Sequence, residues 1–280
     1  MNYLVTGATG GFGGYTIDFL EKMVPTSNIY ALVRSEEKGA KLKERGINIR
    51  VGDYSDISKM EAALEGIDRL LLVSGAPGNR QEEHKNVIDA AKKSGVSYIA
   101  YTSFPKAETN LNPLAVDHKY TEEVIKESGI AHTFLRNNWY LENELPIIDA
   151  ALKTGKFAYA ANEGKVGWAL KREYAEVAAR ALVDAEFPEV LELSGNTVMY
   201  AELADALKQV SEKEFTVVKA TDEEFIENLT VSGLPQQVAE ILLSIQKNIE
   251  RGDLNVTSKD FEEALGKPLT PLADGIKELL

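Results

Sequence analysis

Along the first half of the chain, short runs of apolar, β-branched and aromatic residues alternate with longer stretches whose apolar positions recur every three or four residues. The short runs predict strands over Tyr3–Thr6, Ile29–Arg34, Ile47–Gly52, Arg69–Ser74, Tyr98–Ser103 and Thr133–Arg136. The longer stretches predict helices over Gly13–Met23, Lys38–Arg45, Ser58–Leu64, Gln81–Ser94 and Asp117–Glu127. Two of the strands, RLLLVS and YIAYTS, are apolar on both faces, as strands are in a parallel sheet covered by helices on each side. Strands and helices alternating at this spacing predict an α/β fold with a doubly wound parallel sheet.

From about residue 145 the rhythm changes. The run KREYAEVAARALVDA (171–185) predicts a helix, and VLELSG (190–195) a short strand. A helix at AELADALKQVSEK, a strand at FTVVKA and two or three more helices complete the chain. The expected division is residues 1–150 for the sheet domain and 151–280 for a smaller, mostly helical part leaning on the sheet's carboxyl edge. No repeat, low-complexity tract or disordered linker is read in this second half.

Composition narrows the chemistry. With no cysteine, disulfides, thiol nucleophiles and iron–sulfur clusters are excluded. The three histidines, His84, His118 and His132, match no metal-binding spacing, so no metal is expected. A formal net charge of −13 argues against nucleic acid or an anionic membrane as partner. No apolar run reaches the about 18 residues that a membrane span needs. A cytoplasmic protein, monomer or homodimer, is the expectation.

The stretch YLVTGATGGFGGYTIDFL carries the strongest signal. Gly7, Gly10 and Gly13 stand at G-x-x-G-x-x-G spacing between the first strand and first helix. Glycine permits a tight turn and lets backbone N–H groups approach a pyrophosphate. The helix then directs its positive end at that charge. Gly7, Thr9, Gly10, Gly11, Phe12 and Gly13 are therefore candidate dinucleotide-binding residues. An acidic residue ending the second strand would suit the ribose 2′-hydroxyl of NAD. Here Arg34 stands at that corner and Lys38 one turn later, which favours the 2′-phosphate of NADP(H). Glu36 and Glu37 keep NAD(H) open as the alternative. Asp53 and Tyr54 end the third strand and could frame the adenine, while Ser74 and Gly75 end the fourth, beside the nucleotide's middle.

Together TGATGGFG, LVR, GDYSD, AYTS, DHKYTEEVIKESGI and LRNNWYLEN resemble the NmrA-like atypical short-chain dehydrogenase/reductases, over most of the chain. Within that family the likeness is nearest to the NADPH-dependent type 2 quinone oxidoreductases and the triphenylmethane reductases. The resemblance implies a Rossmann-like fold and NADP(H) as cofactor. Many members of the wider superfamily keep Y-x-x-x-K ahead of a Ser-Gly pair. Counting back from Ser128-Gly129, those two positions hold Leu114 and His118. The superfamily's catalytic serine falls at Ser103.

Leucine donates no proton, and reducing a ketone requires a positioned acid. A quinone differs, because hydride addition gives a delocalised anion that solvent can protonate. The expected acceptor is therefore a small aromatic molecule such as a quinone, stacked beside the nicotinamide. Phe104, Trp139 and Tyr140 are the candidate stacking residues, or else they pack the second half. Asn138 and Asn143 are candidates to hydrogen-bond a carboxamide or a quinone oxygen, or else to cap a turn. His118 either orients the nicotinamide ribose or a substrate oxygen, or is structural. His84 reads as a surface residue of its helix, and Arg80 and Gln81 as edging the cofactor. The alternative to a reductase is a non-catalytic NAD(P)(H)-sensing regulator, a role the resemblance also allows.

Overall fold

The runs that are apolar on both faces form the inner strands of a parallel sheet. In the computed structural model, which describes residues 1–184 and 186–280, β1 (Tyr3–Val5), β4 (Arg69–Leu72) and β5 (Tyr98–Ser103) are buried at every position. The edge strand β3 (Asn48–Val51) is the most exposed of the sheet. With β2 (Ile29–Val33), β6 (Ala131–Asn137) and a seventh strand, Val190–Leu193, the order is Val190–Leu193, β6, β5, β4, β1, β2, β3. Every neighbouring pair is parallel. The winding reverses between β1 and β4, which opens a crevice at the strands' carboxyl ends. This is the doubly wound, Rossmann-like sheet expected from the alternation of strands and helices.

Helices α1 (Gly11–Leu20), α2 (Glu36–Glu44), α3 (Ile57–Leu64), α4 (Arg80–Lys93) and α5 (Pro113–Ser128) connect the strands. Leu4, Met60, Leu64, Leu70, Val87, Ile99, Tyr101 and Phe134 belong to one core cluster between strands and helices. The fifth helix begins four residues before the Asp117 predicted for it. Asn112 accepts the Leu114 N–H at 3.0 Å and Pro113 takes the first turn, a start signal the periodicity does not carry. Gly129, at φ +75°, ends it.

The chain divides into two compact units, one of Met1–Asn137 with Arg172–Leu193 and one of Asn138–Lys171 with Ser194–Leu280. The predicted helix 171–185 is observed as Lys171–Val183, and residue 185 lies outside the described residues. VLELSG, read as part of the second half, instead supplies the edge strand beside β6. In the second unit, Lys156–Tyr159 pairs with Thr216–Lys219 and Trp139–Tyr140 with Trp168–Ala169. Four helices follow the strand at 216–219, Asp222–Val231, Gln236–Glu250, Asp260–Leu265 and Leu272–Leu279, against the two or three expected. Phe157, Tyr200, Phe225 and Phe261 are fully buried in that unit.

Candidate active site

A cleft of about 470 Å³ opens at the carboxyl ends of β1, β2 and β4. Its base is the first βα turn. Gly7 sits at φ +59°, a left-handed conformation that favours glycine, and its carbonyl accepts the Gly10 N–H at 2.9 Å. A Cβ on Gly13 would lie 2.4 Å from the Gly7 oxygen. Gly13 therefore serves the close approach of α1 to the turn. Gly7, Thr9 and Gly10 line the cleft, Gly11 is the exposed first residue of α1, and Phe12 and Gly13 are buried. No side-chain hydrogen bond caps α1 at Gly10, and the helix start carries the positive dipole end that suits an anion.

Arg34 and Lys38 line the same cleft at the end of β2 and the start of α2, both exposed. Among the described residues neither cation forms an ion pair, and the cleft lining includes neither Glu36 nor Glu37. Asp53 lies opposite, its carboxyl held below the usual range first by the Ser55 hydroxyl and amide and more weakly by Arg34. The Tyr54 hydroxyl sits between Thr6 Oγ1 and the Val73 carbonyl, the latter at 2.9 Å. Ser74 and Gly75 form the far wall, with Glu83, which the sequence reading did not single out. An uncapped helix start, a left-handed glycine and two unpaired cations fit a dinucleotide carrying a 2′-phosphate.

Beyond the cleft, His118 is buried and both its nitrogens have protein partners. Arg80 Nη1, which can only donate, lies 3.3 Å from Nε2, so the ring proton resides on Nδ1, 2.8 Å from Tyr101 Oη. Phe104 is buried and stacks on the His118 ring at 5.8 Å between centroids. Burial, then Arg80, then His84 push the His118 pKa down to about 3, so the ring is neutral at ordinary pH. In this structure neither nitrogen is presented to a ribose or a substrate oxygen.

Ser103 is likewise engaged. Its hydroxyl donates to Glu122 Oε1 at 2.5 Å, and Arg136 grips the same carboxylate through Nε at 3.0 Å and Nη2 at 2.6 Å. Arg136 Nη1 reaches Glu192 at 3.0 Å, and Glu192 accepts the N–H of Lys106, a residue at φ +48°.

His84 is a correction. Far from being a surface residue, it is 0% exposed, donating toward Thr121 Oγ1 at 2.9 Å and accepting the Gly75 N–H at 3.0 Å. The reason lies in helix period. Val87, Ile88 and Ala91 set the buried stripe of α4, and stepping back by four and seven from them reaches His84 and Arg80. Arg80 donates to the Gly75 carbonyl at 2.9 Å, and Gln81 to Asp117 Oδ1 at 2.9 Å.

The second unit holds the other candidates. Asn138 is buried and donates to Ser194 Oγ and the Leu254 carbonyl, each at 3.0 Å. Trp139 Nε1 donates to Glu144 Oε1 at 3.0 Å, and Lys171 lies over the Tyr140 ring at 5.4 Å. Asn143 is half-buried in the 3-10 turn Leu141–Glu144. The group that sequence reasoning missed here is Glu144. Trp139, Trp168 and Tyr200 all donate to its Oε1, at 3.0, 3.1 and 2.9 Å, while Oε2 is buried without a partner. Burial lifts its pKa to about 7 against the pull of those three donors. Among the described residues no cluster could hold a metal, and no helix is long and apolar enough to cross a membrane.

A crevice at the switch point of a parallel sheet, floored by a glycine turn, is where such folds take a dinucleotide, and this is a dinucleotide-binding α/β protein. The chain belongs to the NmrA-like family, whose pattern matches residues 2–266. It is 40% identical over 278 residues to quinone oxidoreductase 2 of Escherichia coli, covering 98% of this chain and 97% of that protein. The solved structure of an NADPH-dependent quinone oxidoreductase from Escherichia coli, complexed with NADPH, superposes with a TM-score of 0.92 at 39% identity, covering 99% of each chain. Triphenylmethane reductase from Citrobacter sp., complexed with NADP(H), gives 0.94 at 34% identity, covering 100% of each.

Proposed function

We propose that this protein is an NADPH-dependent reductase that passes hydride to a quinone or a similar delocalised acceptor without a tyrosine–lysine proton relay. The observation that carries the reading is the pair of unpaired cations, Arg34 and Lys38, lining the same cleft as the glycine turn. The relatives that bind NADPH or NADP(H) over nearly the whole chain support it.

In this reading Gly7, Thr9, Gly10 and the start of α1 receive the pyrophosphate, and Arg34 with Lys38 the 2′-phosphate. Tyr54 and Asp53 border the adenosine end, and Ser74 and Gly75 the middle. Bound there, NADPH supplies the hydride, and solvent supplies the proton that completes the reduced acceptor. Leu114 has no proton to give, and His118, neutral and doubly engaged, has none to spare. Ser103 and His118 then act by holding β5, Phe104 and α5 in place.

NADPH oxidation by the pure protein with a simple benzoquinone, beside an NADH control, tests the reading. Quinone-dependent turnover that favours NADPH is expected. Tight NADPH binding with no turnover on any flat acceptor would replace the reductase with a nucleotide sensor.

A further inference from the structure

Three successive backbone amides at the end of β4 donate to side chains. Val73 N–H goes to Thr6 Oγ1 at 2.8 Å, Ser74 N–H to Thr102 Oγ1 at 2.8 Å, and Gly75 N–H to His84 Nε2 at 3.0 Å. Two carbonyls of the same segment are also taken. Tyr54 Oη lies 2.9 Å from the Val73 oxygen, and Arg80 Nε donates to the Gly75 oxygen at 2.9 Å. These residues are the wall of the nucleotide cleft. Gly75 is thus gripped at both ends of its backbone by two side chains one turn apart on α4.

The grip is closed behind α4. His84 Nδ1 faces Thr121 Oγ1, and Thr121 donates to the Asp117 carbonyl at 2.8 Å. The Asp117 carboxylate lies 3.8 Å from Arg80 Nη1, and the same Nη1 meets His118. A ring of polar groups therefore runs from Gly75 through His84, Thr121, Asp117 and Arg80 back to Gly75. His84 and Arg80 are nearly fully buried, where an unmatched donor or acceptor is costly. Burial and then Arg80 hold His84 neutral, with a pKa near about 3, so Nε2 keeps the lone pair that Gly75 needs.

We propose that His84 and Arg80 are positioning residues for NADP(H): they clamp the Val73–Gly75 wall in its cofactor-ready path before the nucleotide arrives. The inference rests on the reading of the cleft as an NADP(H) site. A wall held in one path spares the cofactor the cost of ordering it, whereas a loose wall lowers apparent affinity by the fraction of time it is out of place.

The test uses the full chain and two ligands. In the proposed reading NADPH would run along the whole cleft, while adenosine 2′,5′-bisphosphate carries only the adenosine end, bordered by Arg34, Lys38, Asp53 and Tyr54. His84→Phe removes the acceptor and keeps a ring; His84→Gln restores an acceptor. Calorimetric titration should show NADPH binding weakened roughly tenfold in the Phe variant and largely restored in the Gln variant. Binding of the bisphosphate should be unchanged in both. Equal NADPH affinity in parent and Phe variant would overturn the clamp and leave the reductase reading intact. Equal loss of both ligands would also overturn it, because a general packing defect moves both. If the parent itself binds neither ligand, the reading of the cleft fails instead. Should the Phe variant not fold, hydrogen exchange of the Gly75 amide in the ligand-free parent decides. Strong protection is expected, and exchange at the unstructured rate would contradict the clamp.

Discussion

In the proposed reading, Arg34 is the residue on which cofactor choice turns. It is exposed and unpaired, so its charge is free for a phosphate but also screened by salt. Replacing it by glutamate should weaken NADPH roughly ten- to hundredfold, in line with loss of a charge-assisted hydrogen bond of about 1.5–3 kcal/mol, and leave NADH nearly unaffected. Parallel fluorescence titrations of the two nucleotides would check this. Glu144 makes a different prediction. Its folded pKa is raised to about 7 from 4.5, so the folded state holds its proton where the unfolded chain has lost it. That contribution is complete below pH 4.5 and is lost as pH rises through 7. The melting temperature of the parent relative to Glu144→Gln should therefore fall between pH 4.5 and 7 and level off above. His84 and His118 run the other way. Their folded values near about 3 lie below the ordinary 6.5, so stability is lost as pH falls from 6.5 toward 3, with a slope of about 1.4 kcal/mol per unit for each ring.

At the scale of elements, the first turn is tightly constrained. Gly13→Ala would set a methyl 2.4 Å from the Gly7 oxygen, which is backbone and has little room to yield. A loss of about 1–3 kcal/mol in chemical unfolding is expected, together with weakened nucleotide binding. On β6, Arg136→Met should be costlier, on the order of 3–5 kcal/mol, because Glu122 of α5, 1% exposed, would be left charged without its cation. The same elements show where the sequence was legible. Strands such as RLLL and YIAYTS betray themselves by being apolar on both faces, and the glycine spacing marks the turn that floors the cleft. The buried faces of α4 and α5 do not. They carry Arg80, His84, His118, Thr121 and Glu122, polar residues buried by hydrogen bonds to one another and to neighbouring turns, so a reading by apolar period puts His84 in solvent. Glu144 was missed for the same reason, since Trp168 and Tyr200 are 24 and 56 residues away from it.

For the molecule as a whole, the sheet and its switch point could be read from the alternation of elements, while Val190–Leu193 could not be assigned to the sheet edge. A strand of four residues after a long helix carries no mark of which neighbour it will join. The wider consequence of the architecture concerns the reaction. In the proposed reading, Leu114 and a neutral, engaged His118 stand where the resemblance puts the tyrosine and lysine, so the site would hold NADPH without the acid that a ketone demands. The measurement that tests this most directly is NADPH consumption with a benzoquinone against a saturated cyclic ketone of similar size, under identical conditions. Turnover on the quinone with none on the ketone is the predicted result. Comparable reduction of the ketone would mean that a proton donor acts in this site after all, and would contradict the account.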